Sequence, residues 1–367
     1  MWQYISLNIL IMMFSFLDLT NLEMKVKKLN LYISSFFLIL LAGLRYKTGA
    51  DIHVYRKFFD LISRGVSWVP LEKGYIILNS LFIKLGLSFE LLIFFISFLT
   101  ICLVMFFIKR EACYWSLSIF IFYSQYFLRG AMGNIRQMLA MSILLYSYKY
   151  VSERKIIKFL LIIFLAGSLH RSAFVFIPFY FLLNKKYTKK QMIVLVFLSI
   201  IISRTNIILY LFNLLLKLEK IGFDLKILYK ITHYFFERRG NSSLLVLGAF
   251  ERLFFISLFI FLKDKIYKQG IYYRIYFNSY FYSILIFFLF SIDLHIASRV
   301  ARIFQITEIL LIPLLVKLIN PKELRVIIYI LVLFLYTGHF IDELMLVLPE
   351  YGGYVYLPYR SILELFF

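Results

Sequence analysis

Apolar positions run through this chain in blocks rather than in alternation. Blocks of about 15–21 residues recur from one end to the other, each closed by a short polar cluster, and a helix needs roughly 20 residues to cross the hydrocarbon core of a bilayer. The roughly ten-residue alternating segments of a membrane barrel are missing, whereas a helix satisfies its own backbone hydrogen bonds inside lipid. The pattern predicts twelve membrane-spanning helices, near 3–20, 29–45, 89–108, 113–128, 132–151, 156–170, 172–184, 190–208, 244–262, 275–292, 302–319 and 324–340. The expected fold is therefore all-α: a polytopic integral membrane helix bundle forming a single domain over residues 1–367. The first block lacks a basic leader and a small-residue cleavage site, so it is expected to stay as a helix.

A weaker run at 72–87 carries Glu72, Gly74, Lys84 and Gly86 and is expected to lie at the interface without crossing. Charge then orients the chain. Lysine-rich loops contain Lys25, Lys27 and Lys28; Lys109 and Arg110; Arg154, Lys155 and Lys158; Lys185, Lys186, Lys189 and Lys190; Lys263, Lys265 and Lys268; and Lys317, Lys322 and Arg325. With 72–87 not crossing, all of them fall on one side, which the positive-inside rule makes the cytoplasm. The outer side then holds two larger segments, about 46–88 and 209–243. It also collects His53, His170, His233, His295 and His339, with Arg45, Arg129, Arg136, Arg171, Arg252, Arg299 and Arg302. Cations on that side run against the rule, and an anionic ligand is one reason for them.

Composition narrows the classes further. The chain is 62% hydrophobic and 20% aromatic, far above the roughly 45–50% apolar content of a soluble domain. A formal charge of +21 suits nucleic acid only when a soluble basic surface carries it, so no nucleic-acid partner is expected. Cys102 and Cys113 have neither disulfide-framework nor metal-ligand spacing. No Walker-type glycine loop, carboxylate cluster or Gly-x-Ser-x-Gly elbow is present, so neither nucleotide, metal nor other cofactor is expected.

Four stretches carry candidate chemistry. Arg45 closes an apolar run and is followed by Gly49 and Asp51; it is either a snorkelling side chain or a guanidinium fork for phosphate oxygens. The segment Gly130 to Ala140 places Asn134, Arg136 and Gln137 at the start of a helix entering from outside, where backbone donors and the dipole favour an anion. His170 and Arg171 form a recessed outer turn in which the imidazole is either a structural hydrogen-bonding group or a general base. His295, Arg299 and Arg302 are spaced to share one helical face, as an anion site or as an ion-pair cluster with Asp293.

The stretch from Arg45 to Tyr55 with its Gly-x-Asp, the start Glu72-Lys73-Gly74-Tyr75, the helix Asn134-Ile135-Arg136-Gln137-Met138-Leu139-Ala140 and the turn His170-Arg171-Ser172-Ala173 together resemble the EpsG-like group of Wzy-type polysaccharide polymerases. The resemblance is carried by the first half of the chain; the second half follows the group in hydropathy and in the arginines near 299–302. It implies transfer of a glycan from one undecaprenyl-pyrophosphate carrier to the non-reducing end of another, at the periplasmic face of a bacterial inner membrane. His170 and Asp51 are then the candidate catalytic bases. Arg45, Asn134, Arg136, Gln137, Arg171, His295, Arg299 and Arg302 are the candidates for holding pyrophosphate and glycan. Membrane lipids, a chain-length regulator and a flippase of the same pathway are the implied partners. A lipid-linked oligosaccharide flippase and an O-antigen ligase-like glycosyltransferase share most of these features, and both stay open at this point.

Overall fold

The computed structural model describes residues 1–20, 23–66, 68–205, 207, 210–211, 214, 247–291, 293–348 and 352–365. These residues are almost entirely helical. In chain order the helices are α1 (Trp2–Ser15), α2 (Met24–Gly43), α3 (Ile52–Ser63), α4 (Lys73–Lys84), α5 (Phe89–Glu111), α6 (Trp115–Phe122), α7 (Ile135–Leu144), α8 (Ser147–Ser152), α9 (Ile156–Leu169), α10 (Phe179–Leu182), α11 (Lys189–Ser203), α12 (Leu247–Phe261), α13 (Lys263–Tyr267), α14 (Ile271–Leu289), α15 (Leu294–Gln305), α16 (Glu308–Lys317) and α17 (Lys322–Leu344). A short antiparallel pair, β1 (Val347–Leu348) and β2 (Gly353–Tyr354), follows α17.

Among the described residues, four helices are long and apolar enough to cross a membrane: Trp2–Leu19, Met24–Gly43, Phe89–Glu111 and Lys322–Leu344. This corrects the expectation of twelve. Hydropathy registers composition, not helical continuity, and the apolar blocks from 113 to 184 are broken. α6 runs into a π-helical stretch, Tyr123–Gly133, which ends at Asn134; α7 has ten residues and α8 six. α9 has 14 residues and stops where His170 turns extended. At 1.5 Å per residue such a helix reaches about 21 Å, well short of the roughly 30 Å hydrocarbon core. Apolar side chains in these blocks bury one another instead, as with Phe120, Phe122, Phe127 and Leu139.

Of the four long helices, α5 carries the fullest start and stop signals. In α5, Ser88 accepts from the Leu91 amide at 3.3 Å, Glu90 lies in the first turn and Lys109 and Arg110 in the last, which matches the helix dipole at both ends. α4 is only 12 residues long and packs beside α3. The segment 46–88 thus folds as two short helices. The second expected outer segment, 209–243 with His233, lies almost wholly outside the described residues.

Two compact units divide the chain. The first comprises Met1–Tyr180 and Ile309–Phe367, the second Phe181–Glu308. In the first, α2 packs along α5, α1 along α6, α7 against α5 and α9, and α17 along the π-helical stretch. Buried polar bonds tie α1, the turn after it and α2 to α6 and the stretch that continues it: Asn30 Nδ2 donates to Ser116 Oγ at 2.8 Å, the Leu117 amide to Asp18 Oδ2 at 2.8 Å, and Tyr123 OH to the Tyr4 carbonyl at 2.8 Å. In a lipid-facing bundle, such bonds select register where apolar contact alone does not. In the second unit, α14 pairs with α15, and Asn278 Nδ2 donates to the carbonyls of Leu183 (2.7 Å) and Lys185 (2.8 Å). A capping box of Thr188 and Gln191 opens α11.

Orientation of the first unit follows from its long helices. Lys25, Lys27 and Lys28 open α2, Lys109 and Arg110 close α5, and Lys322 and Arg325 open α17. The positive-inside rule expects those ends on the cytoplasmic side, and the opposite ends at Gly43, Ser88 and Leu344 on the outer side. Backbone bonds agree. The Tyr46 amide donates to the Arg360 carbonyl (2.8 Å), Gly49 to Val355 (3.2 Å) and Ile362 to Leu44 (2.8 Å), so the loop after α2 and the tail after α17 meet at one end of the bundle. In a chain with Cys102 and Cys113 replaced by alanine, Tyr354→Cys should react with an impermeant thiol reagent in intact cells, and Lys322→Cys only after permeabilisation. Labelling of both positions in intact cells would overturn this orientation.

Candidate active site

Glu72 is the residue on which three of the four motif stretches meet. It stands at the N-cap of α4 with extended backbone. Its Oε2 pairs with Arg136 Nη1, and its Oε1 accepts from the Arg171 amide at 3.2 Å and lies 3.6 Å from His170 Nδ1. Local sequence explains the approach. A Cβ on Gly74 would overlap Ser168, so only glycine lets the first turn of α4 sit against the last turn of α9. His170, at the end of α9, has φ −154° and ψ 119°, which stops the helix and turns its ring toward Glu72. Arg136 is the second residue of α7, behind an Asn134 that breaks the π-helical stretch at φ −81° and ψ 62°.

Burial alone would raise the Glu72 carboxyl. The His170 contact and the Arg136 charge, helped by backbone amides, outweigh it and hold the group at about 2. The carboxylate is therefore ionised throughout the physiological range. Tyr55 and Tyr75 wall the other side of Arg136, with ring centroids 5.6 Å and 5.5 Å from its guanidinium. Burial raises both phenols, that of Tyr75 to about 12, so they remain neutral hydrogen-bond donors.

Arg45 is 3% exposed. Its Nη1 donates to the Ala42 carbonyl and, at 3.2 Å, to Ser97 Oγ, while Nε and Nη2 have no hydrogen-bond partner among the described residues. Desolvation lowers this guanidinium to about 10, so it stays charged at neutral pH. Tyr4, Tyr359, Tyr356 and Tyr55 stand within electrostatic range of it, and Tyr75 within range of both Arg45 and Arg136. The two arginines thus share a tyrosine-lined wall. Gly49, at φ +120°, lies against the Met132 carbonyl, where a Cβ would collide, and this brings the Arg45 loop to the start of the Arg136 helix. The tail closes over that loop, and Arg129 pairs with Glu343 at the end of α17.

The remaining expected residues fall as follows. Asp51 stands at the N-terminal boundary of α3, without a side-chain cap bond, four residues before Tyr55. Asn134 precedes α7 and Gln137 is buried within it; Arg171 is exposed and meets Glu72 through its amide. His295, Arg299 and Arg302 share α15, in the second unit. Asp293, just before that helix, accepts from the Ile296 amide at 3.1 Å and so has capping work there. Sequence reasoning missed Glu72, Tyr55 and Tyr75 as members of the site. The available signal was Glu72 itself, a carboxylate heading a weak helix on a side crowded with arginine and histidine. Among the described residues, no three His, Cys, Asp or Glu side chains come together as a metal site.

Four long apolar helices define a multi-pass membrane protein, and in it Glu72, Arg136 and His170 form a cluster of carboxylate, guanidinium and imidazole. The EpsG family pattern matches residues 28–361, and the chain belongs to the EpsG family. No curated protein and no solved structure matches it.

Replacing Glu72 by glutamine should leave Arg136 short of its counter-ion and lower stability by about 2 kcal/mol. Because the folded carboxyl is depressed to about 2 from an ordinary 4.5, the wild-type advantage should be fully present above about pH 4.5 and fade as pH falls toward 2. Thermal unfolding of both proteins in detergent across pH checks this. An advantage that changes between pH 6 and 8 would contradict the assignment.

Proposed function

We propose that this chain polymerises lipid-linked oligosaccharide repeat units at the outer face of the bacterial inner membrane, as a glycosyltransferase whose donor is an undecaprenyl-pyrophosphate-linked glycan. The observation that carries this reading is the meeting of Arg136 and His170 on one ionised carboxylate, beside a buried and under-partnered Arg45. In the reaction, an acceptor hydroxyl oxygen attacks the anomeric carbon of the donor glycan. The bond from that carbon to the pyrophosphate oxygen breaks, and its electron pair leaves with the pyrophosphate.

Arg45 and Arg136 are assigned to the developing pyrophosphate charge, which preorganised guanidinium groups stabilise more strongly in a dry site than in water. Asn134 and Gln137 supply amide groups beside Arg136, and Arg171 a further cation at the same turn. His170 is assigned as the base. With its Nδ1 edge toward Glu72, the ring is placed to present Nε2 to the acceptor hydroxyl; a carboxylate behind an imidazole orients it and supports the cation that forms. A 3.6 Å separation is long for a hydrogen bond, as catalytic contacts without substrate often are. Asp51 is the next candidate base. His295, Arg299 and Arg302 on α15 are assigned to phosphate or glycan binding. A flippase and a chain-length regulator of the same pathway are the expected partners.

Arg136→Lys keeps the charge but loses the planar fork, so polymer length should collapse while the protein still inserts. His170→Ala should cost about 10²–10⁴-fold in turnover with donor binding retained. Surface polysaccharide from cells carrying each variant, together with turnover of purified protein on lipid-linked glycan, reads both. Single repeat units still attached to the cell surface mark a polymerase defect, whereas loss of even that unit points to a ligase or flippase. Wild-type chain lengths from Arg136→Lys would return Arg136 to a purely structural ion pair. Near-normal turnover by His170→Gln would move proton abstraction to Asp51.

A further inference from the structure

A groove of about 580 Å³ runs along the first turns of α11, in the second unit, lined by Tyr187, Thr188, Lys190, Gln191, Val194 and Leu195. Its volume is within the roughly 300–1,000 Å³ typical of ligand sites. Polarity changes along it. Val194 and Leu195 make one end apolar, and the exposed side chains of Phe197, Leu198 and Ile201 continue that surface along the same side of α11. Thr188, Lys190 and Gln191 form the polar end. The turn that carries this end is pinned, because Asn278 Nδ2 of α14 donates to the carbonyls of Leu183 and Lys185, and the Tyr187 hydroxyl pairs with that of Tyr282.

The polar end offers donors and a cation. The Thr188 amide donates to Gln191 Oε1 at 2.9 Å and the Gln191 amide to Thr188 Oγ1 at 3.2 Å, so the capping box engages the acceptor atoms of both side chains. What they still present is the Thr188 hydroxyl proton and the Gln191 Nε2 amide group, beside the Lys190 ammonium. Charge around them is one-sided. Lys185, Lys186, Lys189 and Lys190 precede or open α11, and Lys263, Lys265 and Lys268 lie on the loop against it, with Asp264 the one carboxylate on either stretch. Asp264 is engaged by Lys189 at 3.2 Å and Lys263 at 3.1 Å. Lys185, Lys186, Lys190, Lys265 and Lys268 thus have no carboxylate partner among the described residues. The positive-inside rule expects this end at the cytoplasmic surface, but it asks only for the charges. It does not ask for a groove beneath them that turns apolar within one helical turn.

We propose that this groove is a docking site for an anionic phospholipid of the cytoplasmic leaflet, with the phosphodiester at Lys190, Thr188 and Gln191 and an acyl chain along Val194 and Leu195. The occupant follows from complementarity. A phosphodiester oxygen accepts from hydroxyl, amide and ammonium donors, and the surplus lysines favour a headgroup that brings no cation of its own. A zwitterionic lipid would set its ammonium among like charges. An acidic protein segment would match the lysines but leave the apolar end of the groove, which merges with a lipid-facing stripe, without a partner. The site is independent of the reaction assigned to the outer face.

The test uses the full-length protein in vesicles of phosphatidylcholine with a minor share of phosphatidylglycerol, the probe. A photoreactive benzoylphenylalanine replaces Val194 or, as a control, Ile193, which is 58% exposed on the same turn and outside the groove. Position 194 should capture about fivefold more phosphatidylglycerol than position 193, the enrichment expected from one lysine at an anionic headgroup. Lys190→Gln should bring capture at 194 down to the level at 193, whereas Lys317→Gln, on a lysine loop of the first unit, should leave it unchanged. Raising the salt concentration should do to the unsubstituted lysines what Lys190→Gln does, without any change of sequence. Equal capture at the two positions, or an equal loss from both lysine variants, would reduce the lysines to a diffuse surface charge and overturn the proposal. So would capture at 194 that ignores salt, or, in native membranes, a protein adduct there in place of lipid.

Discussion

The arrangement of the outer end depends on one carboxylate. Glu72 gathers Arg136 from α7, the Arg171 amide and the His170 ring from the end of α9. Without it, a cation and a helix terminus would face each other across a poorly hydrated space. A negative charge there serves both, since it neutralises the guanidinium and accepts from an amide that α9 no longer uses. The same carboxylate holds the Arg136 guanidinium and the His170 ring apart on its two oxygens.

Arg45 shows the opposite economy. Glu72 satisfies Arg136, whereas Arg45 is more deeply buried and has no carboxylate of its own in its hydrogen-bond set. Desolvation of an unpaired charge costs several kcal/mol, so packing elsewhere must hold it in place. That packing is visible in the loop after α2. Gly49 takes a left-handed conformation against the Met132 carbonyl, and the tail adds backbone bonds from residues 355–362. A tail about 310 residues away in sequence thus stabilises the loop that carries the arginine.

Some of this was legible in the chain and some was not. α2, α5 and α17 were readable because a continuous apolar run is bounded at one end by lysines and arginines that suit a membrane surface, and in α5 the helix dipole as well. The blocks from 113 to 184 misled because apolar composition is the same whether a side chain faces lipid or another helix, and nothing in hydropathy marks the π-helical stretch or the break at Asn134. Arg45, Arg136 and His170 stood out as expensive residues in apolar surroundings. Glu72 did not, because its value comes from partners 64 and 99 positions away, and its own neighbourhood, a weak 12-residue helix, looks like interface.

The short helices have a functional logic of their own. A site that receives lipid-borne substrates must sit near headgroup depth, yet be dry enough for charges to act strongly. Continuous spans would carry their termini out into water. Helices that stop early, at His170 and at Asn134, leave their ends and their polar side chains recessed beside the long spans. Irregular backbone at such depth is tolerated only where protein covers it, and here α17, the tail and the α3–α4 pair provide that cover. The interruptions that defeat a hydropathy count are therefore the features that bring Arg136 and His170 to the Glu72 carboxylate.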